Sequence, residues 1–152
     1  MPYELMAIDK WVLWKAVERD GNFTKIPFTV GGRMAKTNDP TTWSSFSQVK
    51  AAYQAGGFDG VGFVLDGKDR IVGVDLDKVD DHRHQPEVAS IIRMLKESGC
   101  YIEASPSGKG LRAFLFGELA FPGTNNRKLG VEIYREGRYL TVTGQTLRNS
   151  CS

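Results

Sequence analysis

Cysteine is almost missing from this chain of 152 residues: Cys100 and Cys151 are its two, and they lie far apart. Their separation matches no zinc-ligand spacing, which argues against a structural metal and for a reducing, cytoplasmic setting, with a disulfide as the less favoured reading. Long apolar runs are missing too. None approaches the ~20 residues of a membrane span, and "MPYELMAIDKW" lacks the basic-then-apolar order of a leader, so a cytoplasmic chain without a membrane partner is expected. Charge of one sign is also absent: 20 Lys and Arg against 18 Asp and Glu leave a net +2. Any affinity for nucleic acid must then come from a local cluster and not from a global field. No internal repeat, low-complexity tract or long linker is visible. What is present, 41% hydrophobic and 25% charged residues, suits one globular domain over 1–152 with a sizeable core. The chain stops at "TLRNSCS" without a closing element, so it reads as a fragment of something longer.

The local patterns predict an α+β chain. "WVLWKAV" and "FTKIPFTV" are β-prone, and "ERDGN" between them supplies turn residues, giving a hairpin. "TNDPTTWSSFSQVKAAYQAGG" carries apolar residues at Trp43, Phe46, Val49, Ala52 and Tyr53 and ends in a Gly pair, the pattern of a capped amphipathic helix. "GVGFVL" and "RIVGVDLD" follow as short strands joined by the polar turn "DGKD". "PEVASIIRMLKESG" has Pro at its start and Gly past its end, a second helix. "CYIEAS", "LRAFLF", "GVEIYR" and "RYLTVTG" complete a set of about eight strands and two helices, a sheet covered by helices.

Three stretches carry chemistry. "SPSGKGLR" at first suggests a P-loop, but no Ser or Thr follows Lys109 and "LRAFLF" alternates as a strand, not a helix. Gly108 and Gly110 can still let successive N–H groups converge on an anion, with Ser105 and Ser107 adding hydroxyls and Lys109 and Arg112 adding positive charge. Standing alone, such a stretch is equally a polar hairpin loop. In "IVGVDLDK", strand alternation sends Asp75 and Asp77 to one face. Two neighbouring carboxylates either raise one pKa or bind hard divalent ions such as Mg²⁺ and Mn²⁺, although a lone Asp-x-Asp also fits a strand end. In "GVEIYREGR", Glu132 lies between Val131 and Ile133, a carboxylate on the face opposite its apolar neighbours. "DKVDDHRH" reads as a solvated turn, its His82 and His84 included.

Taken in order, an Asp-x-Asp strand, a Ser-x-Ser-Gly-x-Gly loop before a strand and an apolar-Glu-apolar strand resemble the primase-polymerase domain of the archaeo-eukaryotic primase superfamily, as found in phage and plasmid replication proteins. The resemblance extends from "WVLWKAVERDGNFTKIPF" through "DPTTWSSFSQV", "GVGFVL" and "GVDLD" to "EIYREGRYLTVTG". It implies a mixed α/β fold with a catalytic sheet related to the RNA-recognition motif, flanked by helices, and an N-terminal α/β unit. It implies that Asp75, Asp77 and Glu132 are the catalytic residues and hold two divalent ions, Mg²⁺ or Mn²⁺. The nucleotide-binding loop falls on Ser105, Ser107, Gly108, Lys109, Gly110 and Arg112, with Lys25 and Arg138 as further cations near nucleotide or template.

The implied activity is template-dependent nucleotidyl transfer by two-metal phosphoryl transfer, a DNA primase or polymerase acting on a single-stranded DNA template with nucleoside triphosphates. A helicase domain or protein is a candidate neighbour. One departure stands out: where the family has His at the strand entry, this chain has Arg112, which holds phosphate but cannot titrate near neutral pH. Two alternatives stand beside this reading. One is a metal-dependent nuclease with water as nucleophile. The other is a single-strand binding module in which Trp11, Trp14 and Trp43 stack bases, against which a tryptophan in an apolar run is more often core.

Overall fold

The computed structural model describes residues 2–116 and 125–147. They form eight strands and four α-helices, distributed over two compact units. One unit comprises Pro2–Asp66 and Glu136–Val142; the other comprises Gly67–Arg135 and the chain from Thr143 onward. Cys151 lies outside the described residues. No helix among them is long and apolar enough to cross a membrane.

The first unit begins with a short helix, α1 (Tyr3–Met6), and the expected hairpin, β1 (Trp11–Arg19) and β2 (Asn22–Phe28). Arg19 pairs with Asn22, and the two residues between them, Asp20 and Gly21, have φ of 51° and 80°. Positive φ at both positions is what a two-residue hairpin turn demands, and Asp-Gly is a sequence that supplies it. The predicted amphipathic helix is α2 (Phe46–Ala55); Ser45 caps it, accepting from the Gln48 N–H at 3.2 Å while the Gln48 side chain accepts from the Ser45 N–H at 2.9 Å. With β3 (Gly60–Asp66) and β8 (Glu136–Val142), β1 and β2 make an antiparallel sheet in the order β2-β1-β3-β8. Trp11 is fully buried, edge-on to Phe46 at 4.8 Å and to Phe63 at 5.4 Å. Its indole N–H donates to the Leu5 carbonyl and that of Trp14 to the Val61 carbonyl. Both tryptophans are thus core, and their N–H groups are satisfied by the main chain. The strands read as joined by "DGKD" do not pair: β3 belongs to this sheet, and β4 to the other.

The second unit is built from β4 (Ile71–Leu76), α3 (Val79–His82), α4 (Pro86–Ser98), β5 (Tyr101–Ala104), β6 (Leu111–Phe116) and β7 (Val131–Tyr134). The segment expected as a plain turn, "DKVDDHRH", contains α3. Lys78 enters it with φ 46°, and the helix is a single turn whose Val79 is anchored by burial. The Val79 N–H also donates to the Lys109 carbonyl at 3.0 Å. α4 has Pro at its start and ends at Gly99 in the left-handed conformation, as its termini predict. Sheet order is β5-β6-β4-β7 and every pairing is antiparallel. β4 and β5 therefore run parallel with β6 between them, a split βαβ arrangement.

Alternation divides this second sheet into two chemically distinct faces. Val72, Val74 and Leu76 of β4, Ile102 of β5, Ala113 and Leu115 of β6 and Val131 and Ile133 of β7 form one apolar cluster with Val88, Ile91 and Leu95 of α4. These helix residues follow the i, i+3, i+7 spacing of a single stripe. Burying such side chains contributes about 1.5–3 kcal/mol each, so the helix fixes which face of β4 is left for polar residues. Asp75 projects to that other face.

Candidate functional site: a charged row across one sheet

Register brings four charged residues into line on the face away from α4. Glu103 of β5 lies opposite Arg112 of β6, Arg112 opposite Asp75 of β4, and Asp75 opposite Glu132 of β7. Directly opposed residues have Cβ atoms about 4.5–5.5 Å apart, within reach of one another's side chains. The Arg112 guanidinium donates to Asp75 Oδ1 at 3.2 Å. Asp75, Arg112 and Glu103 are all buried, Glu103 completely, whereas Glu132 is half-buried.

Asp77 lies one residue beyond the end of β4, in an exposed turn. Its position is nevertheless fixed: its N–H donates to the Gly130 carbonyl at 2.9 Å. Two glycines close on the end of β4. A Cβ on Gly110 would stand 2.7 Å from the Leu76 carbonyl oxygen, and one on Gly130, where φ is +72°, would stand 2.5 Å from that of Asp77. Any other residue at either place would push the Asp-bearing strand end aside.

The electrostatics of the row follow from burial and like charge. Burial pushes the Asp75 carboxyl above the usual carboxylate range; Arg112 pulls it down, and the negative charges of Asp77 and Glu132 push it up again. Asp77 and Glu132 are therefore each near enough to Asp75 for their charges to repel its own. Among the described residues no three Asp, Glu, His or Cys side chains already stand in a metal-holding arrangement. Asp75 is engaged by Arg112, Asp77 is exposed and Glu132 is half-buried. The donor set fits a hard divalent cation: all-oxygen ligands, mutual repulsion that a cation would relieve, and a main chain that already holds Asp75 opposite Glu132.

The loop between β5 and β6 differs in one respect from the sequence expectation. The amides of Gly108, Lys109 and Gly110 do not stand open for an anion. The Gly108 N–H donates to the Ser105 carbonyl at 2.8 Å, the Lys109 N–H to Ser107 Oγ at 3.2 Å and the Gly110 N–H to Ser105 Oγ at 3.0 Å. The serines thus close the loop on itself and satisfy these three donors. Ser107, Gly108 and Lys109 are exposed, while Ser105, Gly110 and Arg112 are buried. Lys25 on β2 and Arg138 on β8 are exposed and belong to the other unit. Lys25 Nζ sits 5.9 Å from the Trp14 ring centroid, and the Lys25 carbonyl accepts from the Tyr139 hydroxyl.

Glu103 is the residue that sequence reading missed. Its pattern in "YIEAS", a carboxylate between Ile102 and Ala104, is the alternation that singled out Glu132, so the signal was present. Oε2 of Glu103 accepts from the Thr143 N–H at 2.8 Å and Oγ1 at 3.0 Å, and Oε1 from the Gly144 N–H at 3.3 Å.

No family model matches the chain. A curated relative, the DNA primase-polymerase of Nitratiruptor phage NrS-1, is 37% identical over 141 residues, which is 90% of this chain and 19% of the relative. The chain thus spans about a fifth of that protein's length. The resemblance drawn from the motifs is borne out: the sequence is similar, over nearly all of its length, to part of a phage primase-polymerase.

Proposed function

We propose that this chain is the catalytic domain of a primase-polymerase, a nucleotidyltransferase that initiates or extends a strand on single-stranded DNA, within a longer replication protein in the cytoplasm. The observation that carries the reading is the register that sets Asp75 opposite Glu132, one residue from the Asp77 turn, in a chain similar to part of a phage primase-polymerase. The split βαβ order of the second sheet, with a helix on one face and the carboxylates on the other, supports a catalytic sheet of the RNA-recognition-motif kind and the archaeo-eukaryotic primase fold.

In this reading Asp75, Asp77 and Glu132 would hold two divalent ions, Mg²⁺ or Mn²⁺. Bound there, such ions supply charge neutralisation and hydroxyl activation for phosphoryl transfer. The chain's own residues position and bind. The buried main chain of β4 and β7 fixes where two carboxylates start. Lys109 meets the triphosphate as an exposed cation. Ser105, Ser107, Gly108 and Gly110 shape the loop that presents it, and amides of that loop bond phosphate only by exchanging their serine partners. Arg112 contributes positive charge from the row itself. Lys25 and Arg138 are assigned to nucleotide or template.

The test is strand extension with a primed single-stranded template, nucleoside triphosphates and Mn²⁺. Asp75→Ala, Asp77→Ala and Glu132→Ala should each abolish extension in proteins that remain folded by circular dichroism. Template degradation that needs Mn²⁺ but no nucleotide would instead favour a nuclease. The binding-module alternative is weakened by the burial of Trp11 and Trp14.

A further inference from the structure

We propose that Glu103 is a positioning residue of the carboxylate site: its charge shares the Arg112 guanidinium, so that Arg112 does not neutralise Asp75. The inference rests on the metal-dependent reading above. A fully buried carboxylate is expensive unless it is paired and hydrogen-bonded, and Glu103 is fully buried. Hydrogen bonds from Thr143 and Gly144 occupy both of its oxygens. These bonds hold the carboxylate in place, but they are neutral donors and bring no compensating charge. The cation directly opposite Glu103 in the register is Arg112.

Arg112 stands between two buried acids, Glu103 on one side and Asp75 on the other. A guanidinium has donors enough to face both. Its single positive charge is then divided, and the end of the row carrying Asp75, Asp77 and Glu132 keeps its excess of negative charge, as an incoming cation requires. Without the Glu103 charge, Arg112 would serve Asp75 alone. A divalent ion would then have to displace the guanidinium from Asp75 Oδ1 and would meet a less negative site.

Glu103 therefore acts through Arg112 and touches no reacting group. The fold explains why it sits there: β5 is the edge strand of this sheet and lies two strands away from β4, too far for a direct contact with Asp75 at a strand spacing of about 4.8 Å.

Calorimetric titration of the full chain with Mn²⁺ tests this. Asp75→Asn should lose Mn²⁺ binding. Glu103→Gln, which removes the charge and keeps the shape, should weaken Mn²⁺ binding about fivefold, the order of coupling seen between residues of one charge network. Glu103→Gln combined with Arg112→Gln removes one negative and one positive charge together and should return Mn²⁺ affinity to within about twofold of wild type; this variant also serves if the single one fails to fold. Thr143→Val removes a hydrogen bond to Glu103 but no charge, so it should lower the melting temperature and leave Mn²⁺ affinity unchanged. Unchanged affinity in folded Glu103→Gln, or a loss that persists in the double variant, overturns the role of Glu103 while leaving the acidic site standing. Wild-type protein that binds no Mn²⁺, or Asp75→Asn that binds it normally, overturns the acidic site and this inference together.

Discussion

Replacing Gly130 by alanine tests the packing that fixes the end of β4. Two costs are separable there. Gly130 has φ +72°, and an L residue in the left-handed region costs about 1–2 kcal/mol. Its new Cβ would also stand 2.5 Å from the Asp77 carbonyl oxygen and 3.2 Å from the Asp77 carbonyl carbon, both main-chain atoms that no side-chain rotation can move away. Relieving that overlap means separating two segments, at a further cost of about 1–3 kcal/mol. Gly99 provides the control within the same unit: its φ is +69°, but a Cβ there meets nothing within 4 Å. Gly99→Ala should therefore show the conformational cost alone, and Gly130→Ala should exceed it by about 1–3 kcal/mol. For a chain of this size that difference corresponds to a further drop of roughly 2–12 °C in melting temperature. Urea unfolding followed by circular dichroism measures both variants under one condition. Because the displaced atoms belong to Asp77, Mn²⁺ affinity should also fall in Gly130→Ala and hold in Gly99→Ala. Equal destabilisation by the two substitutions would refute the close approach and, with it, the account of how Asp77 is held.

Three further outcomes are expected. Asp75 has its carboxyl raised above 3.8 in the folded chain by burial, so the folded state holds that proton more tightly and the group's contribution to stability falls as pH rises from about 3.8 through the raised value. In metal-free buffer the melting temperature of Asp75→Asn relative to wild type should rise as pH increases above about 3.8, and a flat difference contradicts the assignment. Ser45→Ala removes the capping box of α2 and should cost about 1 kcal/mol in urea unfolding; no loss would mean that the cap is idle. Lys109→Ala should weaken nucleoside triphosphate binding roughly tenfold by fluorescence titration, with little change for the unphosphorylated nucleoside. Equal triphosphate affinity would leave the loop without a phosphate role.

Much of this architecture was legible because its causes are local. Asp20-Gly21 dictates a two-residue turn, Ser45 and Gln48 a helix start, and Pro86 and Gly99 the limits of α4. The opposition of Asp75 and Glu132 was not legible from spacing, because register between β4 and β7 is decided by which residues of both strands can be buried against α4. The same holds for Glu103, whose alternation was visible but whose partner on β6 was not. α3 escaped because one polar turn of helix has no apolar period to betray it; its anchors are the burial of Val79 and a bond to the Lys109 carbonyl. A loop of serines and glycines can offer open amides or close as a polar hairpin; its short side chains reach back to the Lys109 and Gly110 amides in the folded chain.

The return of β8 to the first sheet has a consequence for how the chain acquires its structure. β3 ends at Asp66, and the strand that covers its open side begins at Glu136, so the whole of residues 67–135 must emerge before that sheet can close. Until then "VGFVL" is an apolar edge with unpaired N–H and C=O groups, the kind of template on which other chains add. Truncations ending before Glu136 should therefore aggregate even though they retain β1, β2, β3 and α2. A soluble version of the first unit alone would instead need residues 2–66 joined to 136–142 by a short linker, with the second unit excised as if it were a guest inserted into a host.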